Sequence, residues 1–175
     1  LMRLHLAASA WYEAQERGVP AIDHAIEGGD HPHALTLLRP RAERLLEQGR
    51  MRLLDRWFSA IPPEQLQQHG RLQVIALWAR CFTQGPWTAL QRLQEAGCER
   101  SEDPVVQAHV RALLPVLLAM MDRFAEAHRA GLEGVARLPS GNAFADSVLL
   151  NAMAHIVSVA CNRREAHRFL EDARR

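Results

Sequence analysis

Asp30, His31, Pro32 and His33 form the densest group of metal-type side chains in the sequence, and the chemistry they suggest is cation coordination. At the start of a helix, however, His31 and His33 project about 200° apart, so the two imidazoles do not converge on one ion. The group reads as a polar helix entrance with Asp30 as its N-cap. Nucleophilic catalysis has no footing either, because no serine sits in a Gly-x-Ser-x-Gly elbow. The carboxylate pair Glu171–Asp172 falls on a charged terminal helix and reads as a solvated face. All 21 basic residues are arginine, and a P-loop cannot exist without its lysine. The residues therefore point away from an enzyme, and no catalytic, metal or cofactor-binding residue is assigned within the chain.

Binding chemistry has a better candidate. The segment 144–162 is almost wholly apolar; besides Asp146, its polar residues are Ser147, Asn151, His155, Ser158 and Asn162, which recur at steps of 4, 4, 3 and 4. On a helix that spacing places all five along one side. They are polar and, His155 apart, incapable of charge, whereas the other polar faces are rich in Arg and Glu. A neutral hydrogen-bonding row on a greasy helix suits a groove for a polar, uncharged ligand, such as a sugar-like molecule or a peptide backbone. Weaker rows occur at Gln73, Arg80 and Gln84, and at Gln107 and Arg111. Arg80 and Arg111 join the candidate groove.

The elements that must carry these residues are helices. Ala and Leu dominate, aromatics make up 6%, and no run shows the period-2, β-branched pattern of a strand. Gly, Pro and Asp or Asn punctuate the chain at regular places, and apolar residues between them recur at i, i+3, i+4 and i+7. The spacing predicts helices over 4–17, 20–27, 32–48, 51–60, 72–84, 87–96, 104–121, 124–136, 144–161 and 164–173. In the first, Leu4, Ala7, Ala8, Trp11 and Ala14 form the inward face. Pro40 predicts a kink in 32–48. The longer helices begin at intervals of about 28–40 residues, the range of helix–turn–helix repeats. Apolar residues on two sides of each pair call for stacking neighbours. The expected fold is all-α: a right-handed superhelix of about ten antiparallel helices forming one domain over residues 1–175.

Composition narrows the function further. The chain has 175 residues, 48% of them apolar and 23% charged, which is ordinary for a globular protein. A net charge of +1 supplies no field to hold a phosphate backbone. The longest apolar stretches, such as 113–121, fall short of the ~20 residues of a membrane span, and the opening lacks the layout of a secretory signal. Cys81, Cys98 and Cys161 are odd in number and far apart, which reads as reduced core thiols of a cytoplasmic protein. A start at Leu1-Met2 suggests a segment of a longer protein, and an apolar flank on the last helix predicts self-association of the isolated piece.

The first sixty residues carry a recognisable pattern: His5-x-x-Ala8-x-x-Trp11-Tyr12-Glu13-x-Gln15, then Ala21-Ile22-x-His24-Ala25-x-x-x-Gly29-Asp30. Ala34, Leu37-Leu38, Leu45-Leu46-x-x-Gly49, Leu53-x-x-x-Trp57 and Ile61-Pro62 follow. This resembles the start of the sensor region in MalT-like, ATP-dependent LuxR-type transcriptional activators. The resemblance implies a tetratricopeptide-like superhelix that senses a small-molecule inducer or a regulatory protein. ATP binding and the DNA-reading helix-turn-helix belong, on this reading, to parts of the parent outside the segment. It also implies structural roles: Trp11 and Ala8 pack the first helix on the second, and Gly29-Asp30 gives a turn and a cap. His5 and His24 fit packing or hydrogen-bonding roles. A free-standing tetratricopeptide-type adaptor that docks a partner peptide is the alternative function.

Overall fold

The computed structural model describes residues 1–159 and 163–174. Among them are twelve α-helices and no strand, so the chain is all-α as its periodicity requires. Ten of the helices have seven or more residues, packed in adjacent pairs. The chain divides into two compact units, Leu1–Ala79 and Arg80–Arg175.

The first unit opens with α1 (Met2–Ala14) packed on α2 (Gly18–Glu27), and α2 also packs on α3 (His31–Leu38). The turn between α2 and α3 needs Gly29, whose φ of +76° is a left-handed conformation that favours glycine. Asp30 then caps α3 by accepting a hydrogen bond from the His33 backbone N–H at 3.1 Å. Ala21, Ile22 and Ala25 are fully buried, which lets the neighbouring helices approach α2 closely.

The expected inward face of α1 is corrected by the structure. Leu4 is 71% exposed and Trp11 56% exposed. The side turned to α2 is instead His5, Ser9 and Tyr12, where the buried Ser9 hydroxyl donates to the Ala21 carbonyl at 2.8 Å. Both sides of α1 carry apolar groups, and periodicity alone selects the larger ones.

The helix expected over 32–48 is broken rather than kinked. α3 ends at Leu38 and α4 (Ala42–Glu47) begins after a three-residue gap. Pro40 has no N–H for the Thr36 carbonyl. The Arg41 N–H then bonds the Leu38 carbonyl, and the Arg41 guanidinium takes over the Leu37 carbonyl at 3.0 Å. Side chain replaces backbone at the gap. α5 (Met51–Ala60) packs on both α4 and α2, burying Leu54, Trp57 and Phe58. A one-turn helix that periodicity missed, α6 (Pro63–Leu66), packs on α3. α7 (Gly70–Thr83) is buried along most of its length, from Leu72 to Cys81.

The second unit contains α8 (Pro86–Ala96), a single 3-10 turn (Cys98–Arg100), α9 (Pro104–Met120), α10 (Phe124–Val135), α11 (Ala143–Val159) and α12 (Arg163–Asp172). α9 packs on α8, α10 and α11; α11 packs on α10 and α12. Within this unit α9 and α11 thus touch both their hairpin partners and each other, which is how stacked helix pairs bury two sides at once. The α10–α11 approach is close because Gly131 and Gly134 face α11. A Cβ added at Gly131 would meet Met153 Sδ, and one at Gly134 would lie 2.9 Å from Leu149. Ala166 and Phe169 of α12 are buried.

The thiols of Cys81 and Cys98 are buried. Burial pushes Cys81 up to about 11 and raises Cys98 as well. Cys161 lies outside the described residues. No helix among the described residues is long and apolar enough to cross a membrane.

Candidate functional site

α11 forms because residues 143–159 are rich in Ala, Leu, Val and Met, and it starts where Asn142 caps it, the Asn142 Oδ1 accepting from the Ala145 N–H at 2.9 Å. The helix buries Ala145, Leu149, Leu150, Met153, Ala154, Ile156 and Val157. The row opposite comes out as spacing demands: Asn151, His155 and Ser158 are exposed and Ser147 is half-buried. Asn162 lies outside the described residues. Two members are partly engaged along the helix itself. Asn151 Nδ2 donates to the Ser147 carbonyl at 2.8 Å, and the Ser158 hydroxyl donates to the His155 carbonyl at 2.7 Å. His155 also faces Phe124 at the start of α10, with ring centroids 6.2 Å apart.

Ser147 stands at a cavity of about 650 Å³ walled by Val135, Leu138, Ala143 and Leu150, with Asp172 and Ala173 at the end of α12 on the far side. Asp146 also borders it, but its carboxylate is engaged by the loop before α11. It accepts the Ser140 backbone N–H at 3.0 Å and the Ser140 hydroxyl. The chamber is therefore mostly apolar, with the Ser147 hydroxyl on one wall.

Arg111 lies elsewhere. It borders a smaller depression of about 250 Å³ between α9 and α10, with Gln107, Glu133 and Arg137. Gln107, its neighbour in the weaker row, serves the structure: its amide nitrogen donates to the carbonyls of Cys98, Glu99 and Ser101 at 3.4, 2.9 and 2.9 Å. Arg80 is half-buried on α7 and borders neither cavity. The structure thus gathers Ser147, Asn151, His155 and Ser158 on one face of α11 and sets Arg111 in a separate depression.

A second constellation was not visible as a cluster in the sequence. His5 of α1 meets His24 and Glu27 of α2: the two Nδ1 atoms are 2.9 Å apart, and Glu27 Oε2 lies 3.0 Å from His5 and 3.8 Å from His24. Tyr12 stacks flat on His24, with a centroid separation of 5.5 Å and an angle of 9°. The available signal was local, since His24 and Glu27 are three residues apart on one helix and so share a face. What periodicity could not supply was the contribution of His5 from the adjoining helix. The Asp30–His33 group that the sequence singled out is a helix entrance, with His33 Nε2 3.2 Å from Glu13.

Over 126 residues, 70% of this chain, the sequence is 33% identical to the serine/threonine-protein kinase PknK of Mycobacterium tuberculosis (strain ATCC 25618 / H37Rv). The PknK of Mycobacterium bovis (strain ATCC BAA-935 / AF2122/97) gives the same identity over the same share. The matched stretch spans 11% of each kinase. No family model matches the chain, and no solved structure matches it.

Proposed function

We propose that the chain is an effector-sensing and protein-interaction module of a LuxR/MalT-type transcriptional regulator, working by binding rather than by catalysis. The observation that carries this reading is the meeting, on α11, of an uncharged polar row with an apolar chamber of about 650 Å³. Small ligands occupy cavities of roughly 300–1,000 Å³ that are mostly apolar and hold a few polar groups for orientation. Ser147 supplies such a group inside the chamber, and Asn151, His155 and Ser158 continue it along the helix. The walls favour an inducer with an apolar body and a neutral polar edge. Its binding shifts the balance between a resting and an oligomerising state.

The opening motif supports the family assignment, and the match to a short stretch of a protein kinase supports a regulatory helical region within a longer protein. ATP hydrolysis and DNA contact belong to other parts of the parent, which acts in the cytoplasm. Its partners are the inducer or a regulatory protein, and a second copy of the sensor.

The test is an inducer-response assay in the full regulator carrying Asn151→Ala with His155→Ala. The expected outcome is a weakened or lost response at unchanged folding. An unaltered response from a folded variant overturns the groove. A parent gene lacking both an upstream P-loop and a downstream helix-turn-helix overturns the family assignment.

A further inference from the structure

His5, His24 and Glu27 bring three ligand atoms of metal-binding type together at the end of the α1–α2 hairpin, all within 4.8 Å of one another. We propose that they form a binding site for a borderline divalent transition-metal ion of the Zn²⁺ class, which clips α1 to α2.

Geometry is the first argument. Ligands at 2.0–2.1 Å from a tetrahedral Zn²⁺ ion lie about 3.3 Å from one another. The three separations here are 2.9, 3.0 and 3.8 Å and bracket that value. Expansion of the short edges by a few tenths of an ångström, with contraction of the long one, seats the ion. The Glu27 side chain is 59% exposed, which leaves the fourth position open to water.

The surroundings supply the second argument. His24 and Glu27 occupy the last turn of α2, at the negative end of the helix dipole, which favours a cation. Tyr12 holds the His24 ring by stacking, so its orientation is set before an ion arrives. Gly28 lies directly against α1: a Cβ there would lie 2.6 Å from Cδ2 of Leu6, the neighbour of His5. Two imidazoles and one carboxylate select Zn²⁺-class ions over Mg²⁺ and Ca²⁺, which seek oxygen ligands.

The experiment uses the whole 175-residue chain, stripped with EDTA, and follows Zn²⁺ by calorimetry and Co²⁺ by its visible absorption. One ion binds per chain at this site, the thermal midpoint rises with Zn²⁺ and not with Mg²⁺, and Co²⁺ gives the strong absorption of a four-coordinate site. Glu27→Gln, at an exposed position, lowers Zn²⁺ affinity by at least ~10-fold. His24→Ala abolishes the Co²⁺ spectrum, whereas His33→Ala leaves it intact. Wild-type chain that binds no Zn²⁺, or Zn²⁺ binding that survives Glu27→Gln unchanged, overturns the site. Binding lost only in His33→Ala does so too, by moving the ion to another group.

Discussion

Trp57 donates its indole N–H to Asp23 at 2.7 Å, joining α5 to α2 through a bond that ends on a buried ring. The same carboxylate oxygen receives Arg56 at 2.5 Å. Trp57 is 1% exposed, and the half-buried Asp23 carboxylate is the acceptor that satisfies its N–H. Asp23→Ala is expected to cost about 1–3 kcal/mol in urea denaturation, through loss of the charge-assisted bond to the indole. Asp23→Asn keeps an acceptor for the indole and costs less. Equal losses from the two variants would refute the indole as the origin of the effect.

Gly131 and Met153 set the spacing of α10 and α11. Met153 is fully buried and has little room to yield to a new side chain. Gly131→Val should destabilise the second unit by about 1–3 kcal/mol through overpacking. Met153→Ala opens space at the same point, so the double variant should lose less than the sum of the single losses. Strict additivity in chemical denaturation would count against the contact.

Cys81 offers a pH signature. Its pKa is raised from an ordinary 9.0 to about 11 by burial. The folded chain therefore holds this proton in a range where the unfolded chain releases it. Stability from this group is complete below about pH 9 and is lost as pH rises towards 11. Denaturation midpoints should fall less steeply across that window in Cys81→Ala than in the wild type. Cys81 should also resist alkylation of the native chain at neutral pH, because the thiolate is the reactive form.

Gln107 ties three carbonyls of the segment 98–101 to α9. Gln107→Ala leaves those carbonyls to solvent and should increase hydrogen exchange and proteolytic cutting around residues 98–103. The interior of α10 and α11 should keep its protection. Uniformly faster exchange throughout the second unit would show that the residue acts on global stability instead.

Local rules explain much of what the sequence made legible. The all-α class, most of the helix positions and the α11 row follow from residue spacing, and Asp30 from capping chemistry. Where one residue removes a backbone donor and another supplies a substitute, spacing says less: Pro40 foretold a disturbance, but the break depends on Arg41 taking over the Leu37 carbonyl. The inner side of α1 was hidden because a hydrogen bond draws Ser9 inward and stacking draws Tyr12, whereas Leu4 and Trp11 stay outside. Asp23 is an unremarkable position between Ile22 and His24 until α5 brings Trp57 to it. The His5–His24–Glu27 group likewise needs the pairing of two helices before its members meet. Distances across elements are not encoded in any single period.

The glycines of α10 also bear on the space beside α11. With main chain against side chain at that seam, the inner partition of the chamber is held at a set distance from α11. Asp172 and Ala173, at the end of α12, also border the chamber. Exchanging one or two residues there would resize the compartment while the rest of the helical frame stays put.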